Sequence, residues 1–265
     1  MSYYGKLPIV LLSETASGKE DAYNCRIAAW LLGHLGENIT AEQIAKECFV
    51  SKSAVSRFCR EVGFEDFTEL KELLAASGKT FESANADAPV ETQAQIVTDR
   101  AAESLRMVAE TIDYRAVKEL TAAIRKAGRI ACFGLLKAET AAMNLQSDLV
   151  MLGKNALTKV SFREQMDFLA AAGEDDLIII FSYKGIYFDY DLPPEIRGCK
   201  ADIWIITGNR NEAGLPGMKQ LPVAGIVRFS SKLDFFSHPY QLLAASSILA
   251  QSVAGNPGEM REEDR

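Results

Sequence analysis

The chain has 265 residues, of which 48% are hydrophobic and 25% charged, and this length and composition are typical of two globular domains. Every apolar run is far shorter than the roughly 18 residues of a membrane span, and residues 8–12 are too short for a secretory core, so we expect an unexported, cytoplasmic protein. The formal net charge of -7 excludes general adhesion to nucleic acid, so any contact with DNA must come from a local patch.

The N-terminal region is predicted to be helical up to about residue 74. Three apolar residues recur at helical spacing in a first helix: Ile27, Leu31 and Leu35. Thr40 and Gln43 have the spacing of a capping box and predict the start of a second helix. Residues 3–12 (YYGKLPIVLL) stay unassigned, and they could form an additional helix either on this unit or across a dimer.

A third helix is predicted to begin after Ser51, which is a good N-cap residue. Four residues at i, i+3, i+4 and i+7 form its apolar face: Val55, Phe58, Cys59 and Val62. The opposite stripe consists of Lys52, Ser53, Ser56, Arg57 and Arg60. Three short helices with a tight turn before the last predict a helix-turn-helix unit.

In such a unit, the basic stripe would enter the major groove of DNA. Ser53, Ser56 and Arg57 are then candidates for contacts with base edges, and Lys52 and Arg60 for contacts with phosphates. The alternative is a solvated basic surface without a ligand, because many surface helices carry lysine and arginine.

Beyond this unit, the sequence predicts a linker and then an α/β domain. The predicted ranges are 1–76 for the helix-turn-helix domain, 77–92 for the linker, 93–254 for the α/β domain and 255–265 for a disordered tail. Helices are predicted at about 93–112, 114–127 and 240–253, and strands at 129–134, 176–182, 202–207 and 224–229. The fold class is therefore an all-α N-terminal domain joined to a three-layer α/β domain with a parallel sheet.

The run ITAEQIAKECFVSKSAVSRFCREVGFEDFTELKELLA resembles the N-terminal helix-turn-helix domain of the RpiR (MurR/RpiR) family of bacterial transcriptional regulators. The resemblance is closest in V-S-x-x-x-V-x-R-F-C-R-x-x-G-F, followed by F-x-E-L-K. The second domain of these regulators is a sugar isomerase (SIS) domain that senses a phosphorylated sugar, and the α/β pattern here is similar. The resemblance implies a transcriptional regulator that binds a double-stranded DNA operator, with a sugar phosphate or another small anion as effector. Paired operator half-sites further imply a homodimer or homotetramer.

The predicted strand ends also indicate a ligand site, because open parallel sheets bind ligands beyond the carboxyl ends of their strands. The candidate ligand-binding residues there are Gly134, Lys137, Thr140, Ser182, Lys184 and Gly185. Two loops depart from the SIS pattern. Leu136 and Ala138 replace the second glycine and the serine of G-x-G-x-S, and Lys184 and Tyr187 replace the second serine and the threonine of S-x-S-G-x-T.

These departures leave two interpretations open. In one, Lys137 and Lys184 supply charge in place of hydroxyls, and the pocket binds an anion other than a sugar phosphate. In the other, Leu136 and Tyr187 fill the pocket, and the domain serves for dimerisation. We favour the second interpretation.

A different class of function is a SIS-type phosphosugar isomerase or lyase with a vestigial helix-turn-helix. Glu139, Glu164 and Asp189 are candidate acid/base residues by position, but the sequence indicates no partner for them, and we expect surface roles. We therefore predict no catalytic residue. The five cysteines are scattered without a CxxC pair and the two histidines lie in unrelated segments, so we also predict no disulfide framework, no metal site and no cofactor.

Overall fold

The fold is seen in a computed structural model that describes residues 6–16, 22–77, 85–188, 194–208, 221–230 and 238–255. Among these described residues, five helices come first: α1 (Lys6–Ala16), α2 (Tyr23–Gly33), α3 (Ala41–Glu47), α4 (Lys52–Glu61) and α5 (Phe67–Ala76). Residues 78–84 of the predicted linker, candidate residue Asp189 and residues 256–265 of the predicted tail lie outside the described residues.

The predicted helix starts in the N-terminal unit are confirmed. Thr40 Oγ1 accepts a hydrogen bond from the Gln43 amide at 3.2 Å, and Gln43 Oε1 accepts one from the Thr40 amide at 2.7 Å, which together form the capping box of α3. Ser51 Oγ caps α4 by accepting a hydrogen bond from the Ala54 amide at 3.1 Å. These caps satisfy backbone N–H groups that the first turn of a helix leaves free.

The unassigned N-terminal segment contains helix α1. Its apolar side chains Leu7, Val10 and Leu11 are at most 1% exposed. The helix packs against α2 and α5, and it also contacts a helix of the second unit, Phe162–Ala171. Of the two alternatives for this segment, the helix on the N-terminal unit is therefore the one observed.

The second unit is an α/β domain with a parallel sheet. Its elements are α6 (Val90–Thr111), α7 (Tyr114–Lys126), β1 (Arg129–Phe133), α8 (Lys137–Met151), β2 (Ala156–Leu157), α9 (Phe162–Ala171), β3 (Asp176–Phe181), β4 (Asp202–Thr207), β5 (Val223–Arg228) and α10 (His238–Ala254). The strand order is β2-β1-β3-β4-β5, and all neighbouring pairs are parallel. The four predicted strands and three predicted helices are confirmed. Strand β2 was not predicted, because two residues form no recognisable apolar run.

Helices cover both faces of the sheet, as the three-layer prediction requires. Alternate residues of β3 point to opposite faces, so Ile179 packs in the cluster that contains α7, α8 and α10, and Ile178 packs in the cluster that contains α9. The α9 cluster continues into the core of the N-terminal helices, including Phe58 and Leu31. The two units are therefore in direct apolar contact.

Three further features concern the helices, the potential metal ligands and the cysteines of the described residues. None of the helices within these ranges is long and apolar enough to cross a membrane. The same ranges hold no cluster of three or more histidine, cysteine or acidic residues suited to a metal ion. All five cysteines are buried thiols outside any disulfide, and burial raises the pKa of Cys59 to about 12.

Candidate nucleic-acid interface and ligand loops

The predicted basic stripe lies on the solvent face of α4. All of its members are exposed: Lys52, Ser53, Ser56, Arg57 and Arg60. The opposite face packs inward, and Val55, Phe58 and Cys59 are fully buried. Burial of one face fixes the orientation of the helix, so the three cations point away from the protein core.

Arg57 is held at the edge of the stripe by two contacts that the sequence did not reveal. Its guanidinium lies over the ring of Tyr23 in α2, 4.7 Å from the ring centre, in cation–π geometry. Its Nε lies 4.0 Å from Oε1 of Glu61. More than half of the Arg57 side chain remains exposed, so the guanidinium can still meet a ligand.

The amino-terminal end of the stripe also has internal contacts. Lys52 forms an ion pair with Glu42 of α3, and both side chains are exposed. The hydroxyls of Ser51 and Ser53 are 2.8 Å apart, and Ser56 Oγ donates to the backbone oxygen of Lys52 at 3.3 Å. An exposed ion pair of this kind is weak, so Lys52 can exchange its partner for a phosphate.

The turn between α3 and α4 presents an aromatic side chain that sequence analysis missed. Phe49 has φ 52°, in the left-handed region that favours glycine, and 89% of its surface is exposed. No glycine marks this turn in the sequence, so the local pattern gives no signal for the conformation. Phe49 lies two residues before the N-cap of α4 and therefore borders the basic stripe.

The candidate ligand loops follow β1 and β3, which are neighbours in the sheet. In a sheet with this strand order, the crevice between these two strands is the usual place for a ligand. The backbone is tight in both loops. A Cβ on Gly134 would lie only 2.7 Å from backbone atoms of Ala138, and Gly185 adopts a positive φ of 91°. Leu136, at the start of α8, also has a positive φ of 52°.

The polar candidates in these loops differ in exposure. Thr140 is exposed, whereas Lys137 and Lys184 are half-buried, and burial lowers the pKa of Lys137. Ser182 is buried, and its Oγ accepts a hydrogen bond from the amide of Tyr187 at 3.2 Å.

Tyr187 fills space beneath the second loop. It is 2% exposed, and its ring packs edge-on against Phe162 of α9 at 5.8 Å. Its hydroxyl has no hydrogen-bond partner within the part of the chain that the structure describes. This placement favours the interpretation in which bulky side chains occupy the family's usual pocket.

The expected surface role of Glu139 is wrong. This residue lies in the first turn of α8, is only 8% exposed, and burial raises its pKa to about 7. Sequence reasoning missed it because α8 is covered by α10, β1 and β3 only in the folded domain, and no local pattern reveals this packing. Glu164, in the first turn of α9, is half-buried.

The buried carboxyl of Glu139 predicts a specific dependence of stability on pH. Because its pKa rises from an ordinary 4.5 in the unfolded chain to about 7 in the folded one, the folded state binds more protons between these values. The free energy of unfolding should therefore fall as pH rises through this window. Denaturant titrations from pH 5 to 8 are expected to show a flatter profile for Glu139→Gln, with Glu174→Gln as the exposed control. Identical profiles for wild type and Glu139→Gln would contradict this account.

The tight turn after β1 predicts that a single methyl group added at Gly134 lowers the stability of the domain. Gly134→Ala should destabilise the C-terminal domain by about 1–3 kcal/mol, because the clash is with backbone atoms that cannot rotate away. Gly173→Ala is the matched control, since a Cβ there meets nothing within 4 Å. Thermal unfolding of both variants tests the prediction, and equal midpoints would count against the turn geometry.

The comparisons with known proteins agree with this architecture. Residues 21–80 match the family model described as "Helix-turn-helix domain, rpiR family". The HTH-type transcriptional regulator YfhH of Escherichia coli K12 is 25% identical over 174 residues, which make up 58% of this chain and 58% of that protein. The match therefore spans little more than half of the length of this curated relative.

Two solved structures are similar to more than half of this chain. The NanR protein of Vibrio vulnificus, complexed with ManNAc-6P, is 17% identical with a TM-score of 0.51, covering 93% of this chain and 90% of NanR. The c3406 protein of Escherichia coli CFT073 is 13% identical with a TM-score of 0.53, covering 64% of this chain and 91% of that protein. At these identities the likeness shows the fold alone, and the three-layer α/β domain with a parallel sheet is confirmed.

Proposed function

We propose that this chain, whose N-terminal domain belongs to the rpiR family of helix-turn-helix domains, is a sequence-specific DNA-binding transcriptional regulator of the cytoplasm. The observation that carries the proposal is the exposed stripe of α4 within the matched domain. On a chain with net charge -7, it places three cations on one face of one helix. A local patch of this kind is what specific binding needs when the rest of the surface repels DNA.

Within the stripe, the proposed roles follow from side-chain chemistry. Arg57 has the planar fork that suits a bidentate contact with guanine, and Ser53 and Ser56 offer hydroxyls to neighbouring base edges. Lys52 and Arg60 are proposed to bind phosphates and to fix the register. One such helix contacts few base pairs, so we propose a homodimer or homotetramer that binds a double-stranded operator with two half-sites.

The C-terminal domain is proposed to set the spacing of two recognition helices. Its fold is shared with NanR, which was solved with ManNAc-6P, and this supports a sugar phosphate or another small anion as effector. The packing of Tyr187 beneath the second loop supports the other interpretation, a dimerisation domain without a ligand. Thermal-shift measurements with phosphosugars and inorganic phosphate distinguish the two interpretations. A raised unfolding temperature with any compound supports an effector, and an unchanged unfolding temperature with every compound supports dimerisation alone.

Capture of genomic DNA fragments by the purified protein tests the proposed function. At about 0.15 M salt, where non-specific binding is weak, the wild type should enrich fragments that share a roughly palindromic site. The double variant Arg57→Ala/Arg60→Ala loses two exposed cations of the stripe and should enrich none, while its circular dichroism spectrum should match that of the wild type. A shared site recovered equally by both proteins would place the contact elsewhere.

One observation favours an enzyme as the second candidate. Glu139 is buried beside the candidate loops with a pKa of about 7, a value suited to an acid/base residue. An isomerase assay with sugar phosphates distinguishes the two functions. Turnover that Glu139→Gln abolishes, together with no captured DNA, would favour an isomerase with a vestigial helix-turn-helix.

A further inference from the structure

Glu61, the last residue of α4, lies where the two domains meet. Its Oε2 accepts hydrogen bonds from the hydroxyl of Tyr23 at 2.5 Å and from the side-chain amide of Asn24 at 2.9 Å. The same oxygen lies 3.2 Å from Nη1 of Arg163, in α9 of the C-terminal domain. Oε1 faces Arg57 of the basic stripe at 4.0 Å. One carboxylate thus contacts an arginine from each domain.

The surroundings keep Glu61 ionised. Burial alone would raise its pKa, but the hydrogen bonds from Tyr23 and Asn24 and the charges of Arg163 and Arg57 hold the pKa below its usual value. Its side chain is 19% exposed, so the ion pairs are partly shielded from water. Glu61 therefore attracts both arginines at neutral pH.

A second contact ties the same two regions together through α1. Ser13 Oγ donates to the backbone oxygen of Val160 at 2.7 Å and accepts from the amide of Phe162 at 3.2 Å. Ser161 Oγ donates to Oε1 of Glu14 at 2.9 Å. These α1 groups are at most 4% exposed, and α1 packs on α2 and α5. A shift of the start of α9 must therefore move the DNA-binding domain or break these bonds.

The first turns of α9 also contact both candidate ligand loops. Gln165 Nε2 donates to the backbone oxygen of Gly134 at 2.9 Å and to that of Lys159 at 2.7 Å. The Phe162 ring packs against Tyr187 of the loop that follows β3. A change in either loop therefore reaches Arg163 through residues on the same two turns of the helix.

Resting on the proposed function, we propose that Arg163 is a positioning residue for the recognition helix. It holds the Glu61 carboxylate in the interdomain contact so that Arg57 stays available to DNA, and α9 transmits movement of the ligand loops to that contact. Within the described residues, Arg163 and Arg57 are the cations paired with Glu61. When Arg163 is lost, the Glu61 carboxylate pairs with Arg57 alone and draws the Arg57 guanidinium away from the major groove of DNA.

Binding to a captured DNA fragment tests the positioning role. Arg163→Gln should weaken binding about fivefold, the scale of one partly exposed ion pair, and Arg163→Lys should restore most of it. In a Glu61→Gln background, Arg163→Gln should change nothing further, because no carboxylate is left to capture Arg57. Equal losses in both backgrounds would overturn the proposal. Arg115→Gln, which removes an exposed ion-paired arginine on α7, is the control and should leave affinity unchanged.

Hydrogen exchange without DNA tests the connection to the ligand loops. Arg163→Gln and Gln165→Met should each speed amide exchange in α1 and in residues 160–163, whereas Gln146→Met, which removes an amide contact of α8, should not. If the wild type captured no DNA, the proposed function would be wrong, and the hydrogen-exchange measurement would still test the interdomain contact by itself. Unchanged exchange in α1 for both variants would overturn the contact in either case.

Discussion

Phe58→Ala is expected to destabilise the N-terminal domain by about 3–5 kcal/mol. Because the domain must be folded to bind, DNA binding should be lost as well. Phe58 is fully buried at the centre of the helix-turn-helix, among Leu31, Ile44 and Val55. Truncation removes the apolar area that the ring buries and leaves a cavity that short helices cannot fill. Urea titration monitored by far-ultraviolet circular dichroism measures the loss.

Phe49 provides the matched control, because it is the same residue type in the same domain. It is 89% exposed, so Phe49→Ala should change stability little. Phe49→Gly should even stabilise the turn, since glycine adopts φ 52° without the strain that phenylalanine carries. Equal destabilisation by Phe58→Ala and Phe49→Ala would mean that the core of this domain is not the one described.

Arg57→Ala is expected to weaken specific binding by about 1–3 kcal/mol, or roughly 5- to 150-fold, and to relax preference at one base pair. The reason is the loss of a bidentate contact that only the arginine fork can make, so Arg57→Lys should recover little specificity. Fluorescence anisotropy with the captured site and with single-base variants of it measures both effects.

Lys52→Ala and Arg115→Ala serve as controls of different kinds. Lys52→Ala should weaken binding to all sequences alike and lower the slope of log affinity against log salt by about one. Arg115→Ala removes an exposed arginine of α7 and should change neither affinity nor slope. Equal effects of Arg57→Ala and Lys52→Ala on every sequence would contradict the proposed division between base and phosphate contacts.

The helix-turn-helix could be predicted from the sequence because its signals are local. Thr40 and Gln43 form a capping box within four residues, Ser51 caps the next helix, and the apolar face of α4 repeats within two turns. Four of the strands could also be predicted, because a strand that is covered on both faces has a nearly continuous apolar sequence. Strand β2 and helix α1 gave weaker signals, because the first has two residues and residues 7–12 of the second form a continuous apolar run without a helical period.

The contacts that matter most for the interdomain inference could not be predicted. Glu61 and Arg163 lie in different domains, and no local spacing relates them, so only the packing of α1 and α9 brings them to 3.2 Å. The burial of Glu139 likewise depends on how α8 covers the sheet. The ligand loops were located from strand ends alone, and their occupant stays a proposal because Leu136 and Tyr187 depart from the family's pattern.

Site-specific photocrosslinking tests the central claim, that the face around α4 binds DNA, most directly. p-Benzoylphenylalanine replaces Phe49, an exposed aromatic residue beside the stripe, and in a second protein it replaces Tyr114, an exposed aromatic residue of α7. With the captured DNA fragment, we predict a crosslink from position 49 that excess unlabelled site removes, and none from position 114. A crosslink from position 114 with none from position 49 would contradict the account.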